Sequence, residues 1–226
     1  MTLEDLIRRF RTLAGDTKAP QFWKDADITD WLNDAQVQAC VRGRLLLEDA
    51  NPAMCVIDIE ADRHTYPLHR KLYELVHVSF KPVNGRPSRL KVTSREWLDA
   101  NFRNWRSADD WHHMDSGARY VIQGETSLRI VPVPAETGVL TIEAYRLPMA
   151  PMQAPAAAPE IHEASHEHLI QGALHKAFSV PDSEAFDPQR SGLAERAFTA
   201  YFGLLPDSDM RRITREDTPH TVKVHP

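Results

Sequence analysis

The segment HEASH at residues 162–166 has the residue types and the spacing of a zinc site in a hydrolase. On a helix, His162 and His166 lie four residues apart on one face, where both imidazoles can bind zinc, and Glu163 is placed to act as a general base. The extended form of this motif needs a third histidine ten residues after the first. That position is Gly172, so the donor set is incomplete.

The residues that follow the motif also argue against a zinc site. Glu167 and His168 make the start of the predicted helix hydrophilic, whereas zinc ligands of this kind normally lie on a buried, apolar helix. We therefore treat His162, Glu163 and His166 as a chance match and predict no metal ligand and no catalytic residue among them. We expect each histidine to pack against a neighbour or to satisfy a backbone carbonyl. A zinc-dependent hydrolase that uses this segment is the alternative from a different functional class.

Residues 103–117 form a polar stretch that contains two tryptophans. Large aromatic side chains in a polar loop usually pack against something, so Trp105 and Trp111 are expected to lie either on the sheet of their own domain or on a partner surface. Acids and histidines in the same stretch could suggest a metal cluster, but adjacent loop residues rarely converge on one ion. We predict a solvated loop for these residues, which are Asp109, Asp110, His112, His113 and Asp115.

The composition is that of an ordinary globular protein, with 42% hydrophobic and 26% charged residues among 226. A formal net charge of −5 provides no bulk attraction for nucleic acid. Cys40 and Cys55 have no metal-ligand spacing, so we expect free thiols in a reducing compartment. No apolar run reaches the roughly 20 residues of a membrane span, and the acidic, amphipathic N-terminal segment is not typical of a signal peptide.

Apolar residues at helical spacing predict four main helices, which we assign to a bundle formed by residues 1–51 and 160–205. Thr2 and Asp5 form a capping box ahead of the first helix, and the second helix is expected to run from about residue 25 to about residue 49. The Asp187-Pro188 pair predicts the start of the last helix. The four apolar stripes lie at residues 3–13, 28–47, 169–178 and 193–204.

Residues 52–147 change to the alternating pattern of strands, with a hairpin predicted across Asn84-Gly85. Four prolines within residues 148–159 predict an extended linker. The last segment, residues 206–226, is rich in charge and is expected to be either disordered or ordered by a partner. Candidate strands are residues 55–59, 76–80, 90–92, 119–123, 127–131 and 139–145, with a short helix at 94–102.

The predicted fold class is therefore α+β: a bundle of four main helices, a β-rich insertion between helices 2 and 3, and an extended C-terminal tail. Nothing in the sequence resembles a glycine-rich phosphate loop or a nucleophile elbow. We accordingly predict no cofactor and no enzymatic activity.

Several motifs in order along the chain resemble the head-to-tail adaptor, or connector, proteins of tailed bacteriophages. WLNDAQ at residues 31–36 is similar to the W-L-N-x-A-Q signature of that family, and LRIVPVP at 128–134 resembles its strand that ends in a P-x-P turn. YRLP at 145–148 resembles its exit from the β region, and PEIHEASHEHLI at 159–170 resembles the start of its third helix. The end of the last helix, FTAYFG at 198–203, also fits, so the resemblance covers most of residues 1–205.

The resemblance implies a structural virion protein of the phage neck, made in the host cytoplasm. Such an adaptor forms a homo-oligomeric ring, typically a dodecamer, beneath the portal protein. The ring extends the channel for DNA ejection and docks the next neck or tail protein, and DNA passes through it without specific binding. Another neck or tail-completion protein is the alternative within this class, and no membrane partner is expected. Expected partner contacts are Trp105, Trp111, Arg211, Arg212, Val222 and Val224.

The Arg211-Arg212 pair, together with Arg215, forms a small basic cluster that acids interrupt. Solvated charge is the ordinary interpretation of such a cluster, and docking onto an acidic partner surface is the functional one. Val222 and Val224 alternate with polar residues, a pattern that can add a strand to the sheet of a partner.

Overall fold

The computed structural model describes residues 1–102, 104–106, 117–181 and 183–206. These residues form two compact units. The helical unit comprises residues 1–46 and 146–206, and the sheet unit comprises residues 47–145. Trp111 and the residues beyond 206, among them Arg211, Arg212, Val222 and Val224, lie outside the described residues.

The described part of the chain contains six helices and eight strands. The helices are α1 (Leu3–Ala14), α2 (Asp25–Gly43), α3 (Pro52–Cys55), α4 (Arg95–Asn101), α5 (His166–Ser179) and α6 (Pro188–Phe202). The strands are β1 (Leu47–Glu48), β2 (Val56–Ile59), β3 (Thr65–Pro67), β4 (Leu72–Pro82), β5 (Ser88–Thr93), β6 (Tyr120–Gln123), β7 (Ser127–Val131) and β8 (Gly138–Arg146).

The predicted fold class, a four-helix bundle with a β-rich insertion, is wrong. The strands form one eight-stranded, curled, mixed sheet with the shape of a half-barrel, and two further helices, α3 and α4, belong to the same region. The strand order is β1-β8-β4-β5-β6-β7-β3, and β2 also pairs with β8. The alternating pattern located most of the strands, but it carries no information on which strands become neighbours.

The caps of α1 agree with the sequence. The Thr2 amide donates to the Asp5 carboxylate, and the Asp5 amide donates to the Thr2 hydroxyl, so the predicted capping box is confirmed. Gly15 ends the helix with a φ of 82°, a backbone conformation that residues other than glycine rarely adopt.

The second helix is shorter than predicted. α2 ends at Gly43, and Arg44 follows it in a left-handed conformation with a φ of 51°. Leu47, which continues the apolar stripe of α2, instead pairs with Tyr145 in the antiparallel β1–β8 ladder. The stripe therefore did not distinguish a helix from the strand that follows it.

The core of the helical unit lies between α1, α2, α5 and α6. Gly172 allows a close approach of the helices in this core, because a Cβ atom there would lie 2.8 Å from the Ala35 Cβ and 3.0 Å from the Phe198 ring. The side chains of Leu32 and Leu169 are fully buried nearby. Among the described residues, no helix combines the length and the apolar character needed to span a bilayer.

In the sheet unit, the predicted hairpin across Asn84-Gly85 is confirmed as the antiparallel pair β4–β5, with Val78 opposite Leu90. β5 and β6 are parallel, and α4 lies in the connection between them. Gln123 at the end of β6 is 5% exposed. Its side chain accepts a hydrogen bond from the Leu75 amide at 3.0 Å and donates one to the Tyr73 carbonyl at 2.7 Å. The Gln123 side chain on β6 thus bonds two backbone groups of β4 directly.

Candidate functional site

The HEASH segment does not have the geometry of a zinc site. A 3-10 turn occupies Glu163–Ser165, and α5 begins only at His166. His162 precedes this turn, and its Nδ1 atom accepts a hydrogen bond from the Ala164 amide. The expectation that His162 and His166 share one face of a helix is therefore wrong, because only His166 belongs to the helix.

His166 has a structural role. Its side chain is buried, and Nε2 donates to the Ile161 carbonyl at 2.9 Å. Nδ1 lies 3.1 Å from the amino group of Met1, so both ring nitrogens have hydrogen-bond partners within the protein. Within the residues that the structure describes, no group of three His, Cys, Asp or Glu side chains is placed to hold a metal ion.

The motif WLNDAQ lies on α2, and two of its side chains, Asn33 and Gln36, hold the proline-rich segment before α5. The Asn33 side chain donates to the Met152 carbonyl at 3.0 Å and accepts from the Met152 amide at 2.8 Å. The Gln36 side chain accepts from the Glu160 amide at 2.8 Å. Since Leu32 is buried and Ala35 lies against Gly172, most of the motif packs the helical unit.

Glu160, from the motif PEIHEASHEHLI, completes this arrangement. Its carboxylate pairs with Arg146 at 2.7 Å and accepts a hydrogen bond from the Met149 amide at 2.8 Å. The side chain of Arg146 is 14% exposed. Burial, and to a smaller extent the Glu160 carboxylate, raises the pKa of the Cys40 thiol from 9.0 to about 12, while the charge of Arg146 opposes the rise. Residues of three motifs, the first of which lies more than one hundred residues before the other two, thus meet in one polar cluster, which is structural.

A second buried polar cluster fixes the connection between α1 and α2. Arg11 donates to Asp16 at 2.5 Å, to Asp25 at 2.6 Å and to the Trp23 carbonyl at 2.8 Å. Asp16 also accepts a hydrogen bond from the Phe22 amide. The side chains of Arg11 and Asp16 are only 8% and 6% exposed. The pair satisfies its own charges within the protein, which is the condition under which buried charges are tolerated.

Trp105 packs on its own sheet, which was one of the two alternatives. The residue is 3% exposed and lies in a small core with Leu98, Ile122 and Val131. Its indole Nε1 donates to the Asp99 carboxylate at 2.7 Å. Little of this ring is accessible to a partner.

Two arginines lie on the Trp105 ring. The guanidinium groups of Arg106 and Arg129 are 4.3 and 5.1 Å from its centroid. Hydrogen bonds from Arg106 and then from Trp105 lower the pKa of Asp99 to about 2. Burial lowers the pKa of Arg129, and the charges of Arg95 and Arg106 lower it further. The aromatic and cationic pattern in the sequence gave no indication of this stack, because the arginines come from different elements.

The surface of the helical unit carries an exposed apolar stripe on α6. Leu193 is 60% exposed and Tyr201 is 46% exposed, and Leu204, just after the helix, is 73% exposed. Ala197 and Ala200 are exposed between them. Leu193, Ala197, Ala200 and Tyr201 lie on the exposed side of α6, and Leu204 follows the end of the helix; we call these five residues the α6 stripe.

The same unit has an open groove of about 1260 Å³ between α1 and α2. We call it the α1–α2 groove. Aliphatic side chains of Leu3, Ile7 and Met152 contribute to its lining, and Glu4 and Asp30 add negative charge. The groove and the α6 stripe share no residue. Sequence patterns did not reveal either surface, since amphipathicity locates a buried face and does not show what the opposite face binds.

A family model, that of the SU10 adaptor protein, matches residues 1–223. The chain therefore belongs to the SU10 adaptor protein family. This membership confirms the resemblance to phage head-to-tail adaptors and supports a structural role in the virion. No curated protein matches the chain.

Proposed function

We propose that this protein forms a homo-oligomeric ring, of twelve copies, beneath the portal protein of its phage. The ring extends the DNA channel used in ejection and docks the next neck or tail protein. Family membership over residues 1–223 is the observation that carries the proposal. The exposed apolar α6 stripe supports it, because a face of this kind is typical of a protein that functions in an assembly.

The charge balance is compatible with a channel. A net charge of −5 disfavours tight, nonspecific binding of phosphates, so DNA can pass without being held. The protein is made in the host cytoplasm and incorporated into the neck of the virion. Its partners are the portal, the downstream neck or tail protein, and further copies of itself.

The C-terminal residues 206–226 contact the portal in this proposal. Trp111 contributes a second contact with a partner protein. Arg211 and Arg212 provide charge for an acidic portal surface, and Val222 and Val224 provide alternating apolar side chains that can add a strand to a partner sheet. Trp105 contributes indirectly, since its burial holds the start of the stretch that contains Trp111.

Electron microscopy of the purified protein mixed with the portal from the same genome tests this function, with zinc measured in the same sample. The expected result is a ring stacked beneath the portal and no stoichiometric metal. Failure to assemble, together with one tightly bound zinc per chain that is lost in His166→Ala, would instead support the hydrolase.

Variants of the C-terminal segment test the assigned contact. Deletion of residues 206–226 is expected to abolish portal binding while the circular dichroism spectrum keeps its helical signal. In the full chain, the double variant Arg211→Glu, Arg212→Glu should weaken portal binding at least tenfold. The matched control is Arg70→Glu, which reverses an exposed charge in the sheet unit and should bind normally. Unimpaired binding by the truncated chain would refute the assignment.

A further inference from the structure

We propose that the α6 stripe of one copy binds the α1–α2 groove of a second copy. This inference rests on the proposed assembly of the protein into a homo-oligomer and specifies which surfaces meet. Both surfaces belong to the helical unit. The sheet unit is then left to contact other components.

The α6 stripe has the composition of an interface. A solvent-facing helix normally presents charged side chains, but Leu193, Tyr201 and Leu204 each keep close to half or more of their area exposed. The Tyr201 ring is also held in place, because it stacks on His168 with 3.5 Å between centroids and its hydroxyl lies 3.4 Å from the Ser165 hydroxyl. A fixed aromatic ring on an apolar face loses little conformational entropy on binding.

The charges of the two surfaces are complementary. In the α1–α2 groove, Glu4 and Asp30 have no ion pair within the described part of the chain, whereas Asp5 pairs with Arg8. On α6, Arg196 lies three residues after Leu193 and is exposed. Arg196 also has no ion pair with any of the described residues. Opposite unpaired charges beside apolar surfaces favour one orientation of the two partners.

The position of the two surfaces favours a second copy as the occupant of the groove. Because α6 provides one surface while α1, α2 and residues 151–155 provide the other, each copy can use both at once. Such a heterologous contact continues from copy to copy and closes into a ring when the rotation permits. A contact of α6 with α6 would be isologous and would stop at a dimer.

Cysteine crosslinking of the full-length protein tests the contact. Leu193→Cys places a thiol on the α6 stripe, and Ala26→Cys places one at an exposed residue of the groove. Both native thiols are buried, so a short bismaleimide should leave the unmodified protein monomeric on a denaturing gel. The samples are free protein at high concentration and the complex with the portal.

A mixture of the two variants should crosslink into dimers, while each variant alone should not. Val83→Cys, 68% exposed in the sheet unit, replaces Ala26→Cys in the control mixture and should give no dimer. Dimers of Leu193→Cys alone, equal yields in the control mixture, or no dimers in either sample would overturn the inference. A complex with the portal that forms without these crosslinks would refute this contact and leave the proposed function standing.

Charge reversal provides a second readout. Arg196→Glu should lower the yield of dimers at least fivefold, and combining it with Asp30→Lys on the groove partner should restore most of the yield. Restoration requires the two residues to face each other across the interface. If Arg196→Glu reduces the yield and Asp30→Lys does not restore it, the proposed orientation is wrong.

Discussion

The helical unit and the sheet unit are built from the chain in different ways. The sheet unit uses one continuous stretch, residues 47–145, whereas the helical unit joins residues 1–46 to residues 146–206. Each unit has its own core. In the helical unit, buried charges and side-chain amides fix the connections between helices, whereas in the sheet unit the Gln123 side chain on β6 bonds two backbone groups of β4. The comparison shows that buried polar side chains fix the backbone of both units, between helices in one and between strands in the other.

The largest expected effect concerns the buried charge cluster of the helical unit. Arg11→Met removes the cation that pairs with Asp16 and leaves that carboxylate buried, which should lower the free energy of unfolding by about 3–5 kcal/mol. Urea unfolding followed by circular dichroism measures the loss. The control is Arg9→Met, whose pair with Glu167 is 45% and 66% exposed, so its loss should stay below about 1 kcal/mol. Equal losses would show that the cluster contributes no more than a surface pair.

A smaller effect is expected in the sheet unit. Gln123→Met keeps the side-chain volume but leaves the Leu75 amide and the Tyr73 carbonyl without this partner, so the free energy of unfolding should fall by about 1–3 kcal/mol. Hydrogen exchange of the Leu75 amide should accelerate as well. Thr141→Val removes an exposed hydrogen bond of 3.4 Å in the same sheet and serves as the control, with a change within about 0.5 kcal/mol. Unchanged exchange at Leu75 in Gln123→Met would show that the bridge is dispensable.

Alkaline pH should weaken the helical unit through Cys40. Its thiol has a pKa raised from 9.0 to about 12, so the folded state keeps the proton more tightly than the unfolded state. The stabilisation is complete below pH 9 and is lost as the pH rises toward 12, with about 1 kcal/mol lost by pH 10. Between pH 8 and pH 10, the free energy of unfolding should fall by about 1 kcal/mol more in the wild type than in Cys40→Ala. Urea unfolding curves at the two pH values measure this difference. Parallel pH dependences in the two proteins would contradict the assignment.

The smallest effect is expected at Asp99, whose side chain is 47% exposed. Its pKa is lowered to about 2, so the stabilisation it provides is present above about pH 4 and is lost as the pH falls toward 2. Asp99→Asn should therefore flatten the acid dependence of hydrogen exchange in α4. Asp58→Asn, also exposed in the sheet unit, is the control and should follow the wild type.

Periodicity predicted elements well and their arrangement poorly. The apolar stripes located α1, α5 and α6, and alternation located β7 and β8, because both patterns reflect burial along a single element. The same stripe extended α2 wrongly through Leu47, whose strand conformation depends on pairing with Tyr145 almost one hundred residues later. The sheet order and the parallel β5–β6 pair depend on such long-range contacts, which one sequence does not encode as a local pattern.

The polar clusters were beyond prediction for the same reason. Asn33 and Gln36 were recognised as parts of a family motif, but their partners Met152 and Glu160 lie more than one hundred residues away. Trp105 was correctly singled out as a residue to be buried, and its own sheet was one of the two alternatives named. Its contact with Arg129 could not be foreseen, because Arg129 lies on β7.

The divided course of the helical unit imposes an order on its synthesis. α1 and α2 leave the ribosome before α5, which packs against both of them and begins at His166, well over one hundred residues after α2 ends at Gly43. At about 5–20 residues per second, that interval lasts on the order of ten seconds. Residues 47–145 are synthesised during this interval. The sheet unit can therefore finish folding before α5 is available to cover the apolar faces of α1 and α2. Nascent chains halted before His166 should therefore bind chaperones through the helices and not through the sheet.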